Sequence, residues 1–73
     1  MTTFTKGDVA LFLERTLKNG TIDKDLDHVK LMLTILEDPE YRNKYGYTQE
    51  EINAMKVNVT LLFRSLLIEK AKR

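Results

Sequence analysis

Chemistry in a short chain needs side chains that can attack, ligate or pair charge, and this sequence offers few. The stretch DKDLD at 23–27 alternates carboxylates, Asp23, Asp25 and Asp27, as a calcium loop does. Such a loop also needs glycine at its sixth position for a sharp turn and glutamate at its twelfth for bidentate ligation. His28 and Thr34 stand there, so the three acids read as favourable charge at the positive start of a helix. His28 is the only histidine, with Asp25 three residues before it on the same helical face. One imidazole and one carboxylate fall short of a structural zinc site. No metal and no cofactor are expected. Nucleophiles are equally scarce, with no cysteine and a single serine, Ser65, inside a helical pattern. The three glycines are scattered and form no phosphate loop. Glu50 and Glu51 are adjacent, and adjacent helical positions point apart. No catalytic constellation emerges, so the expectation is a protein that is not an enzyme.

The richest segment is YRNKYGY at 41–47, which holds all three tyrosines, interleaved with Arg42 and Lys44. Aromatic faces beside cations can stack a base and pair a phosphate. Tyr41, Arg42, Lys44 and Tyr45 are therefore a candidate site for a small anionic, nucleotide-like ligand, built between subunits if the chain assembles. The competing reading is structural. Tyr47 fixes the entry into a helix, Tyr41 closes the core after Pro39, and the two cations are solvated. Likewise Lys70, Lys72 and Arg73 suit the negative end of a helix.

The elements that position these residues follow from the punctuation. Gly20 after a helical pattern suits a left-handed helix end. Asp38 and Pro39 read as an N-cap and first helical position, and Gly46 precedes another helix start. These breaks predict helices over 6–19, 22–37 and 48–71, with a short helical turn near 39–44. Thr48 and Glu51 have the spacing of a capping box, flanked by Tyr47 and Ile52 at the positions of a hydrophobic staple. Phe4, Thr5, Asp8 and Val9 repeat that order at the first helix.

The run YTQEEI at 47–52 resembles the opening of the first helix of a DNA-binding helix-turn-helix. That family's pattern continues with an alanine where Asn53 stands and a turn glycine where Val57 stands. A β-branched residue does not suit the positive φ of that turn, and the helical pattern runs on to the C-terminal residues without a breaker. The resemblance covers five residues, and nucleic-acid binding is not expected.

The apolar periodicity carries more information. In the long helix Ile52, Met55, Val59, Leu62, Phe63 and Leu66 form one stripe, while Val57, Leu61 and Ile68 lie opposite. In the second helix Ile22, Leu26, Val29, Leu33 and Leu36 form the main stripe, with Leu31 and Ile35 opposite. The first helix turns Val9, Phe12, Leu13 and Leu17 one way and Leu11 another. A helix apolar on two sides is usually packed on two sides, and three short helices cover only one side of each. Leu31, Ile35, Val57, Leu61 and Ile68 are thus expected to serve self-assembly or a partner.

The chain of 73 residues is read as one all-α domain over 1–73: a short first helix laid across an antiparallel hairpin of the second and long helices. Without cysteines it has no disulfide staple, so a small core must lean on helix packing or on assembly into a symmetric bundle. The net charge of +1 argues against binding dominated by nucleic acid or an anionic membrane. Residues 1–12 lack the pattern of a signal peptide and no apolar run reaches membrane-spanning length. A cytoplasmic setting is expected. The function expected is that of a small interaction or regulatory protein, of a kind found in bacteria and phages, acting as a homo-oligomer on another protein.

Overall fold

The structure is a computed structural model that describes residues 4–73. Four helices follow one another: α1 (Lys6–Asn19), α2 (Ile22–Glu37), α3 (Pro39–Tyr45) and α4 (Gln49–Ala71). All regular structure among the described residues is helical. The helix starts expected from sequence are formed. Thr5 caps α1 and Thr48 caps α4, each in a reciprocal box with the acid three residues on, Asp8 and Glu51. The carboxylate of Asp38 accepts from the Glu40 amide at 3.0 Å, and Pro39 opens α3. Gly20 and Gly46 take φ of 67° and 68° as the left-handed ends of α1 and α3. A Cβ there would meet no neighbour but would be strained by the backbone alone.

One boundary differs in weight from the sequence expectation. The turn near 39–44 is a helix of 7 residues, so the bundle has four helices where three and a turn were expected. The proline start, the aspartate cap and the glycine stop are together sufficient to define it.

α2 and α4 pack most extensively. Two ion pairs fix their direction: Lys70 meets Asp23 at 2.7 Å at one end, and Lys56 meets Glu37 at 3.5 Å at the other. The pair is therefore antiparallel, as expected. α1 lies against α4 more than against α2, and α3 lies on α2. The core is the meeting of the predicted stripes: Val9, Ile22, Leu26, Val29, Leu36, Ile52, Met55, Val59, Leu62 and Leu66 are buried. Phe12, Leu13, Leu17, Leu33 and Phe63 pack around it, half-buried. α4, at 23 residues and about 35 Å, sets the long axis of a 39 × 20 × 16 Å molecule. No helix among the described residues is long and apolar enough to cross a membrane.

A polar bridge ties the first turn of α2 to the last of α1. The hydroxyls of Thr16 and Thr21 both donate to Asp25 Oδ2 at 2.6 Å, and His28 Nδ1 lies 3.5 Å from the other oxygen. Burial pushes the Asp25 carboxyl up, but the two threonine hydroxyls and the neighbouring His28 outweigh it and hold Asp25 below its ordinary value. Asp23 is drawn to Lys70 instead. Two acids of the DKDLD segment, Asp23 and Asp25, are thus engaged in structural contacts, and no three His, Cys, Asp or Glu side chains converge among the described residues.

Candidate functional site

The tyrosines converge. α3 carries Tyr41 and Tyr45, and the left-handed Gly46 turns the chain so that Tyr47 comes back beside them. The ring of Tyr41 lies 4.9 Å from that of Tyr45 and 5.8 Å from that of Tyr47, all three pairs tilted, within the range of favourable aromatic contacts. Burial raises the Tyr41 phenol above its ordinary value, and its hydrogen bond with Tyr47 and the nearby Tyr45 add to the effect. A phenol so placed stays neutral at physiological pH and offers a weak polar handle on an aromatic wall.

That wall is one side of a cleft of about 340 Å³. Tyr41 and Tyr47 line it with Met32, Ile35 and Leu36 of α2, Met55 and Val59 of α4, and Phe4 with Asp8 at the start of α1. It opens where α1 and α2 meet the far end of the bundle from the Gly20 turn. Phe4 is held there by its carbonyl, which accepts from Asn58 Nδ2 at 2.9 Å. Among the described residues Asp8 is the only charged one of the lining, and its Oδ2 is occupied by the Thr5 amide and hydroxyl in the helix cap. Asn58→Ala is expected to cost about 1 kcal/mol of stability and to free Phe4 from the rim. Thermal unfolding, with the Phe4 ring followed by NMR, checks both effects.

Within one chain, the four residues read from sequence as an anionic site are brought together only in part: Tyr41, Tyr45 and Lys44 are neighbours, and Arg42 is not among them. Tyr41 faces the apolar cleft, whereas Arg42 lines a different, polar one with Glu37, Asp38, Gln49 and Lys56. There its guanidinium donates to Gln49 Oε1, and Gln49 in turn donates to Asn53. Lys44 sits 5.6 Å from the centre of the exposed Tyr45 ring, a cation–π contact within one short helix. On the cleft side, where Tyr41 and Tyr47 stand, the charged group among the described residues is the Asp8 carboxylate.

The five residues read as an interface also divide. Ile35 turns its side into the tyrosine cleft, and Leu31 is exposed beside it on α2. Val57, Leu61 and Ile68 stand on the far side of α4, with 66%, 46% and 59% of their surface exposed. Because α2 and α4 turn their buried stripes toward each other, these outer stripes open in different directions. Ser65 donates to the Leu61 carbonyl at 2.9 Å.

Sequence reasoning missed Phe4, Asp8 and Met32 as cleft residues. Phe4 and Asp8 were absorbed into the account of the helix cap, and Met32 lies between the two stripes of α2. A partly apolar residue on the shoulder of a stripe, facing a later aromatic cluster, was the available signal. In comparisons with known proteins the chain matches no family model, no curated protein and no solved structure.

Proposed function

We propose that this protein acts without catalysis, by binding another protein in the cleft between Phe4, Met32, Ile35 and the tyrosine wall, and that it does so as a homo-oligomer. The observation that carries the reading is the cleft itself: apolar on α2 and α4 and at Phe4, aromatic on the side of Tyr41 and Tyr47, with a single carboxylate among its described residues. Such a groove suits an apolar anchor from an amphipathic helix. Asp8 favours a segment whose anchor is flanked by Lys or Arg. Tyrosine and methionine at the rim can adapt to the anchor's shape. The alternative of a nucleotide-like anion in this cleft is disfavoured by the same charge, and Arg42, which would have paired its phosphate, is directed elsewhere.

The test is a selection of displayed helical peptides on the protein, with Ile35→Glu as the counter-selection target. The expected result is enrichment of peptides with a large apolar anchor and basic flanks. Their binding should change tyrosine fluorescence, since the tyrosine wall is the only Tyr or Trp emission in the chain. Peptides that bind the Ile35→Glu variant equally well would contradict the cleft as the site.

A further inference from the structure

The outer face of α4 carries more order than three exposed apolar residues. Ala54, Val57, Leu61, Arg64, Ile68 and Ala71 follow one another at intervals of three, four, three, four and three residues, and all six are exposed. That alternation is the seam of a left-handed coiled coil. It runs on the side of α4 opposite Met55, Val59, Leu62 and Leu66, so α2 does not cover it, and the start of α1 approaches only its first turn, where Glu50 and Ala54 line a cleft with Phe4, Thr5 and Lys6. Resting on the homo-oligomeric part of the reading above, we infer that this seam is closed by the same seam of a second copy, antiparallel, with Val57 against Ile68 and Leu61 against Arg64 of the other chain.

Two features select that arrangement. The first is fit. In the antiparallel register Ala54 meets Ala71, Val57 meets Ile68 and Leu61 meets Arg64, so every seam residue finds a counterpart of comparable bulk. The order reads the same from both chains, as a twofold axis requires. A shift by one heptad would set Glu50 on Ile68 and leave Ala71 unpaired. The second is charge. A parallel pair would place Glu50 beside Glu50 and Lys72 beside Lys72, repulsive at both ends, whereas the two Arg64 side chains come near each other in either arrangement. The antiparallel pair instead brings Glu50, on the seam line at the first turn of α4, near Lys72 at the last turn of the other chain. This occurs once at each end, about 4.5 Å out of level, within reach of such long side chains. The helix dipoles then also oppose one another favourably. Beside the seam stand Asn53, Asn58, Thr60, Ser65 and Leu67, which set no like charges face to face. Arg64 can lay its stem over Leu61 and carry its guanidinium out to water.

The absence of native cysteine makes the register testable directly. Val57→Cys and Ile68→Cys are prepared separately, mixed under a mild oxidant, and compared with each variant alone. The expected result is rapid disulfide formation in the mixture and slow formation in either alone, because a disulfide needs Cα atoms within about 7 Å. Sedimentation equilibrium of the unmodified chain should show a concentration-dependent dimer. Leu61→Lys, which would set a cation against Arg64 of the other chain, should weaken it more than about tenfold with helix content unchanged, and Arg64→Leu should tighten it. A monomer at all concentrations, or Val57→Cys cross-linking fastest with itself, overturns the inference. Neither outcome touches the cleft, because none of these residues lines it, and peptide binding there would persist in Leu61→Lys.

Discussion

Leu62→Ala is expected to remove about 2–5 kcal/mol of folding stability, while Leu61→Ala, one residue away, changes that of the dilute chain by less than about 0.5 kcal/mol. Leu62 is fully buried where α4 meets the other helices; Leu61 is 46% exposed on the opposite side. The first substitution removes side-chain burial and leaves a cavity that packed neighbours close only in part. The second removes contacts with water, and alanine is an equally good helix former. A domain of 73 residues holds about 4–11 kcal/mol in total, so Leu62→Ala takes a large share and leaves a marginal fold. Urea unfolding followed by far-ultraviolet circular dichroism, at protein concentrations low enough to avoid assembly, measures both. Equal losses would mean that α4 is buried on both sides within one chain.

Asp25→Ala is expected to cost about 1–3 kcal/mol at neutral pH. It strips the acceptor from Thr16, which is 1% exposed, and from Thr21, and unties the end of α1 from the start of α2. The pH dependence follows from the direction of the shift. Asp25 is held below the ordinary 3.8, so its ionised form stabilises the fold fully above that value. The contribution is lost as pH falls through the lower, folded-state value. The gap between the native chain and Asp25→Ala should therefore be widest at neutral pH and close in strong acid. Asp25→Asn, which keeps an oxygen for both hydroxyls, should fall between the two. Thr16→Val combined with Asp25→Ala should cost less than the sum of the single changes, because each removes the same bond. Additive losses would mean that the bridge does not couple the helices.

These contrasts also mark how far the sequence could be read. The helix limits were legible because caps and stops are local chemistry: Thr5 with Asp8, Gly20, Asp38 with Pro39, Gly46, and Thr48 with Glu51 act within four residues of themselves. The core was legible because α2 and α4 each keep a stripe at helical period, and antiparallel neighbours turn such stripes together. The cleft was not. It depends on Phe4 reaching α4 through Asn58, 54 positions away, and on Gly46 bringing Tyr47 back onto Tyr41, neither of which has a periodic signature. The separation of Arg42 from Tyr41 was hidden for a related reason. Residues adjacent on a helix point apart, but only the placement of α3 on α2 decides what each then faces. Thr16 was passed over as a polar residue among apolar ones, although its position beside Phe12 and Leu13 put it on the buried side.

The central claim, that the cleft receives an apolar segment of a protein and not an anion, is tested most directly by the methionine methyl groups. Met32 and Met55 line the cleft from two helices, and only three methionines occur in the chain, so their NMR signals are few and assignable by substitution. The native protein is titrated in parallel with an amphipathic helical peptide bearing a Leu or Phe anchor and basic flanks, and with a nucleoside triphosphate. The account predicts that the peptide shifts both methyl signals and the nucleotide leaves them unmoved. Shifts with the nucleotide and none with the peptide would contradict it.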